Sequence, residues 1–349
     1  MKQGWEYKKL NEVCEKGSSN IVISKLTDND GDYPLYGASG LVKHIDFYHQ
    51  DKPYIGIVKD GAGVGRVNIY PAYSSLVGTM QYIFPKKDCL LNFIKYFLVK
   101  LDLSHCVSGA TIPHIYFKDY GKDLIPVPSL KIQEKIVSEL DKINELIRLK
   151  KEQLKDYDNL AQCIFYEMFG DPVENDKGWE VKKLGEVCDI FAGGDKPKDI
   201  KTTKDNEYIY PVIANGEGKK GILGYSKKCR VIKNAVTIGA RGASIGNCRI
   251  VKDGFTPAIR LLTLIPSEKL DCPFLFYIVK GLDYKQNGAG QAQLTVPNIK
   301  NERIILPPFP LQHLFAQRIE QIERQKSAVQ KSITDLETLL ASRMQYWFE

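Results

Sequence analysis

The chain spells one eleven-residue phrase twice. Gly4–Cys14 reads GWEYKKLNEVC and Gly178–Cys188 reads GWEVKKLGEVC, nine positions of eleven identical, 174 residues apart in a chain of 349. Solenoid repeats recur every 20–50 residues or so, and this period is far longer. It predicts a duplicated domain, and the length suffices for two domains that each bury a core.

Further anchors keep the same order in both halves. Tyr33-Pro34-Leu35 answers Tyr210-Pro211-Val212, and Gly61-Ala62-Gly63-Val64-Gly65 answers Gly242-Ala243-Ser244-Ile245-Gly246. Each glycine run lies between two β-rich stretches, the pattern of a tight turn with open backbone. Ile112-Pro113-His114-Ile115 answers Val296-Pro297-Asn298-Ile299, and Ile125–Pro128 answers Leu306–Pro310, so the offset drifts to about 184. Between the anchors the copies share little.

A long helical pattern follows each proline cluster. Its apolar positions are Ile136, Leu140, Ile143, Ile147, Lys150, Leu154, Tyr157, Ala161, Ile164 and Met168 in the first, with Lys150 a cationic exception. In the second they are Phe315, Ile319, Ile322, Lys326, Val329, Ile333, Leu336, Leu340, Arg343 and Trp347, with Lys326 and Arg343 the exceptions. The steps alternate four and three throughout, the signature of a coiled-coil seam. The predicted order is a first domain at 1–129, a helical spacer at 130–170, a second domain at 171–310 and a second helix at 311–349. If the second domain's termini lie close together, the two helices run antiparallel. The expected fold is α+β: two similar globular domains of mixed β-structure with helices, separated by an antiparallel coiled coil, pseudo-twofold symmetric.

Signs of catalysis are missing from the sequence. Gly61–Arg66 lacks G-x-G-x-x-G spacing, Ile222 stands where a Walker lysine is required, and there is no H-E-x-x-H or G-x-S-x-G. The eight cysteines form no C-x-x-C pair, and the five histidines form no ligand pair at helical spacing, so no metal site is expected. The cysteines read as reduced, largely buried thiols. The first residues lack the apolar core of a signal peptide and no apolar run reaches membrane-spanning length, so a cytoplasmic location is expected. The net charge of +7 leans towards a polyanionic partner. Two similar modules on a rigid antiparallel strut suit a target with dyad symmetry and repeating grooves, which is double-stranded DNA. The competing readings are a non-catalytic scaffold that carries two binding modules and no DNA, and a self-contained nuclease or methyltransferase.

The doubled W-x-x-K-K-L-x-E-V-C phrase, the paired G-x-x-x-G turns, Ile125–Ile136 (IPVPSLKIQEKI) and Phe165–Pro172 (FYEMFGDP) together resemble the specificity subunit of type I restriction–modification systems, over the whole chain. The resemblance implies two target-recognition domains that each read half of a split DNA site. It implies partners: two modification subunits that methylate adenine with S-adenosylmethionine, and restriction subunits that use ATP and Mg. It implies no cofactor in this chain. The second copy departs at Leu311–Phe315 (LQHLF), and the chain stops without a second Gly-Asp-Pro.

Base reading needs Arg or Lys for guanine and Asn or Gln for adenine, and phosphate contacts need cations and free N–H groups. The candidates are His105, Ser108, Thr111 and His114 in one loop, and Gln286, Asn287, Gln291 and Gln293 in its counterpart. Beside the glycine turns stand Lys59, Asp60 and Arg66 in the first copy, and Arg241, Ser244 and Arg249 in the second; Lys219 and Lys220 form a further basic pair. Leu146, Leu149, Leu160 and Phe165, on the helix faces away from the seam, are candidates for docking partner subunits or for packing against the target domains.

Overall fold

The structure is a computed structural model that describes residues 4–109, 111–216, 221–282, 284 and 293–349. The chain divides into two compact units, one holding the residues through Lys151 together with Lys331–Glu349, the other Glu152–Gln330.

In the first unit the elements run β1 (Glu6–Lys9), α1 (Leu10–Val13), β2 (Cys14–Ser18), β3 (Tyr33–Gly37), β4 (Gly40–Ile45), β5 (Tyr54–Val58), β6 (Val67–Tyr70), β7 (Ser75–Leu76), β8 (Met80–Pro85), α2 (Leu91–Leu101), α3 (Phe117–Tyr120) and β9 (Leu124–Val127), and then α4 (Leu130–Phe169) begins. The second unit repeats them as β10 (Glu180–Lys183), α5 (Leu184–Val187), β11 (Cys188–Ala192), β12 (Tyr210–Ile213), β13 (Ile222–Ser226), β14 (Ala235–Ile238), β15 (Cys248–Val251), β16 (Thr256–Pro257), β17 (Leu262–Pro266), α6 (Cys272–Lys280), α7 (Val296–Asn301), β18 (Arg303–Leu306) and α8 (Phe309–Phe348). Sheet order β2-β8-β5-β6 matches β11-β17-β14-β15, β4-β3-β7 matches β13-β12-β16, and ribbon β1-β9 matches β10-β18. The duplication is therefore one of topology as well as wording.

The repeated phrase is structural. Its lysine-rich part forms β1, paired Glu6↔Val127 to Lys9↔Leu124, and the second copy pairs Glu180↔Leu306 to Lys183↔Arg303. The turn that follows buries Leu10, Val13 and Cys14, and likewise Leu184, Val187 and Cys188. The Glu12 carboxylate accepts the Lys9 backbone N–H at 2.7 Å, and Glu186 accepts that of Lys183 at 3.3 Å. These bonds satisfy N–H groups that a helix start leaves open. Half-buried Trp179 donates its indole N–H to the Phe169 carbonyl at 2.8 Å, locking the phrase to the end of α4.

Each unit has two cores. In the first unit the larger lies between the four-stranded sheet, α2 and the helices, and includes Ile55, Phe93, Phe97, Ile136, Leu140, Met344 and Phe348. In the second it includes Val236, Phe274, Tyr277, Phe165, Phe169, Phe315 and Ile319. Smaller cores lie against the three-stranded sheets, around Leu35, Tyr54 and Leu76 in one unit and Ile213, Val231 and Phe255 in the other.

Within each unit α4 and α8 pack antiparallel. In the first unit Arg343 holds Glu139, while Lys151 pairs with Glu337 at 2.8 Å. In the second Lys326 pairs with Asp158 at 2.8 Å, and Phe165 packs on Phe315. The seam cations thus keep their charge at the rim while their stems cover it. Ile136, Leu140, Ile143, Ile147, Ile319, Ile322, Val329 and Ile333 are buried, whereas Leu154, Ile164, Leu336 and Leu340 are half-buried. Where one helix covers only one side of another, burial stays partial.

The four residues off the seam divide between docking and packing against the domains, and Phe165 takes the packing role. Phe165 is 1% exposed among Phe169, Phe274, Tyr277 and Phe315, and it is no part of an outer face. The seam accounts for two helices, but the end of α4 also packs on α6, which widens its buried stripe. Leu146, Leu149 and Leu160 are exposed, as an outer face requires.

A buried glutamine marks the start of each long helix. Gln133 accepts the Leu90 N–H at 2.9 Å and donates to the carbonyls of Asp88 and Pro128 at 2.8 and 2.9 Å. Gln312 accepts the Asp271 N–H at 2.9 Å and donates to Lys269 and Pro307 at 3.2 and 2.7 Å. Both are fully buried. The two helix starts, divergent in wording, are thus the same latch, and satisfying these buried backbone groups is what keeps a polar side chain there.

Candidate nucleic-acid interface

The glycine turn and the polar loop, some 45 residues apart in the first copy, meet in space. The β5–β6 hairpin carries Lys59–Arg66 at its tip, closed by Gly65 N–H to Val58 O at 2.8 Å. Its near side bonds to the chain approaching α3: Gly61 N–H to Pro113 O at 2.9 Å and Ile115 N–H to Lys59 O at 2.9 Å. Residues 108 and 114 exchange two backbone hydrogen bonds, 2.8 and 2.9 Å, which close the loop between them. Its tip projects Thr111 and Ile112, the latter 62% exposed.

Lys59, Arg66, Ser108, Thr111 and His114 therefore share one loop cluster. Lys59 is half-buried with its ammonium 3.7 Å from the Asp60 carboxylate. Arg66 is exposed and folds back on its own turn, donating to Gly63 O at 3.3 Å and Ala62 O at 3.1 Å. Gly63 leaves room for this: it has φ +88°, and a Cβ there would collide with the guanidinium. His114 places Nδ1 3.2 Å from Ile112 O and its ring edge-on to Tyr116. His105 lies apart from the tip, at the base of the loop, between Asp102 and Asp123.

The second unit builds the same joint. The β14–β15 hairpin closes with Gly246 N–H to Gly239 O at 3.1 Å, Leu294 N–H donates to Ala240 O at 3.0 Å, and Arg241 bridges to Gln293. Arg241 and Gln293 are exposed, with Ser244 half-buried beside them. Asn215 braces the turn, accepting Ala240 N–H at 2.8 Å and donating to Ile259 O at 2.7 Å. Arg249 is half-buried and donates to Gly216 O at 3.1 Å. It lines a cavity of about 260 Å³ with Thr237, Asn247 and Lys280. Lys219, Lys220, Gln286, Asn287 and Gln291 lie outside the described residues.

The joint corrects the sequence alignment. Ile115 corresponds to Leu294, because each closes the same bond, and not to Ile299. Pro113 sits in the turn against Gly61, while Pro297 opens α7, so the two prolines play different parts. Ile112 and Asn215 escaped sequence reasoning. An apolar residue inside a polar loop was the available signal for Ile112; none marked Asn215.

The comparisons with known proteins fit this architecture. The family model for the type I restriction modification DNA specificity domain matches residues 2–156 and again 176–338. The chain belongs to this family. As a member it is a DNA-recognition subunit with two copies of the specificity domain, built for sequence-specific recognition. A putative type I specificity subunit of Mycoplasma pneumoniae is 28% identical over 326 residues, covering 90% of this chain and 88% of that one. A type I restriction enzyme specificity subunit of Methanocaldococcus jannaschii is 21% identical over 393 residues, covering 96% and 90%. The crystal structure of an S subunit from M. genitalium covers 99% of this chain and 96% of its own, with TM-score 0.63 at 16% identity, a likeness of fold. Among the described residues no helix is long and apolar enough to cross a membrane.

Proposed function

We propose that each unit reads one half of a split site in double-stranded DNA with the joint between its glycine turn and its polar loop. The observation that carries this reading is that the same backbone joint recurs in both units with different side chains on it. In the first unit Lys59 and Arg66 would meet phosphate or guanine, Ser108, Thr111 and His114 base edges, and Ile112 a thymine methyl group. In the second, Arg241, Ser244 and Gln293 take these parts, joined by Lys219, Lys220, Gln286, Asn287 and Gln291. Divergence at the joint on a shared scaffold is what two unlike half-sites require.

On this reading the chain is non-catalytic and works in the cytoplasm. Residues 1–129 and 171–310 serve as the reading domains, and 130–170 and 311–349 as the spacer. Two modification subunits and the restriction subunits supply adenine methylation and cleavage. Leu146, Leu149 and Leu160 offer exposed apolar contacts on α4 for such partners.

The test is binding by the assembled methyltransferase complex to a library of duplexes. A split motif with unread central bases is expected. A preference that is absent, or confined to one uninterrupted motif, would refute the reading.

A further inference from the structure

Three metal-binding side chains meet at the base of the first unit's loop cluster. His105 Nε2 lies 3.1 Å from Asp123 Oδ2, and the ligand atoms of His105, Cys106 and Asp123 all lie within 4.8 Å of one another. The other ring nitrogen, Nδ1, is 2.9 Å from the Asp102 carbonyl oxygen. A carbonyl and a carboxylate both only accept, so the ring donates from Nδ1 to Asp102 and from Nε2 to Asp123; a metal at Nε2 would replace that proton and leave Nδ1–H on the carbonyl. This is the tautomer and the outer hydrogen bond that metal-ligating histidines use. Asp102 adopts φ +50°, left-handed for a non-glycine residue, to present that carbonyl.

We propose that His105 Nε2, Cys106 Sγ and Asp123 bind a zinc ion, with water as fourth ligand. Bond lengths of about 2.0–2.3 Å put tetrahedral ligands about 3.3–3.6 Å apart. The cluster needs to contract by little more than an ångström to reach this. A nitrogen, a thiolate and a carboxylate form a borderline-soft set that favours zinc over magnesium or calcium. The three donors escape a search for spaced ligand pairs because His105 and Cys106 are adjacent and Asp123 arrives from the far side of α3.

The ion would pin the chain entering the 108–114 loop to the chain entering β9. The second unit has no histidine or cysteine between Leu282 and Thr295, so the clamp belongs to the first unit alone. The site stands on its own geometry, whether or not the loop above it reads DNA.

Cobalt(II) titrated into the reduced full-length chain reads the thiolate directly. A thiolate-to-cobalt charge-transfer band with four-coordinate d–d bands is expected. It is lost in Cys106→Ser and in His105→Ala, and kept in Cys163→Ser, which alters an exposed cysteine. In the unmodified chain, zinc should slow alkylation of Cys106 and leave that of Cys163 unchanged, which needs no folded variant. No charge-transfer band, a band that survives Cys106→Ser, or zinc-independent alkylation of Cys106 would overturn the proposal.

Discussion

The two three-stranded sheets share a fold and oppose each other in charge. The segment that builds the first, residues 19–53, carries three lysines against five aspartates; its counterpart, residues 193–234, carries nine lysines and Arg230 against five acidic residues. Some of this charge is internally used: Lys201 pairs with Asp205 and Lys227 with Glu207, and both lie over the Tyr208 ring. Lys196, Lys198, Lys204 and Lys233 are exposed. The main scaffold differs far less. Selection on packing holds the strands and latches in common, whereas exposed charge is free to follow the partner. On the proposed reading, the second unit's lysines would draw phosphate and the first unit would rely more on its loop cluster.

The comparison can be broken first in the cores. Phe165 of the second unit and Met344 of the first hold matching places on the two helices, one inside an aromatic cluster, the other beside Phe348. Phe165→Ala should cost about 3–5 kcal/mol and Met344→Ala about 2–5 kcal/mol in urea unfolding. A cost under about 1 kcal/mol for Phe165 would return it to an outer face.

The latches should behave alike. Gln133→Ala and Gln312→Ala each orphan one buried N–H and two carbonyls, at about 1–3 kcal/mol per group left without water. Equal losses in thermal unfolding would confirm that the latch is duplicated; a strong loss in only one would separate the copies.

On DNA, Arg241→Ala and Arg66→Ala should each weaken the complex by about 1–3 kcal/mol, roughly 5- to 150-fold, and relax one half of the motif if the residue reads guanine. Changing Lys196, Lys198 and Lys204 to glutamine should instead lower affinity for all sequences. It should also flatten the slope of log affinity against log salt by up to about 0.9 for each phosphate left without its cation. Three lysine changes in the first unit's 19–53 segment should have less effect, and an equal effect would refute the charge asymmetry.

The smallest effect concerns an ion pair of the first unit alone. Glu139 accepts from Arg343 and from the Trp347 indole, where the second unit has Arg318, Ile164 and Met168. The hydrogen bond from Arg343, foremost, holds the Glu139 carboxyl below its ordinary pKa. Its stabilisation is therefore present above the ordinary glutamate range and fades as pH falls through the lowered value. Glu139→Gln should cost about 0–1 kcal/mol at neutral pH and less in acid.

Much of this was legible in the sequence. The doubled phrase located the duplication because Leu10, Val13 and Cys14 are buried and their counterparts too. The four-three alternation located both helices because packing fixes that period. What failed was fine register. Pro113 and Pro297 look equivalent as letters, yet only backbone bonds distinguish a turn proline from a helix-start proline. Gln312 was hidden because the residues around it changed while the carbonyls it binds stayed in place. For the candidate site, sequence supplied its loops but not their meeting, since the bonds that join Gly61 to Pro113 leave no mark on side-chain identity.

The central claim is that each unit reads its own half-site. Replacing the loop of residues 108–114 by that of a relative with different specificity, then mapping methylated adenines genome-wide in cells that carry the modification partners, tests it most directly. The account predicts a motif changed in one half only, with the other half and the spacer retained. A motif changed in both halves, or in neither while methylation persists, would contradict it.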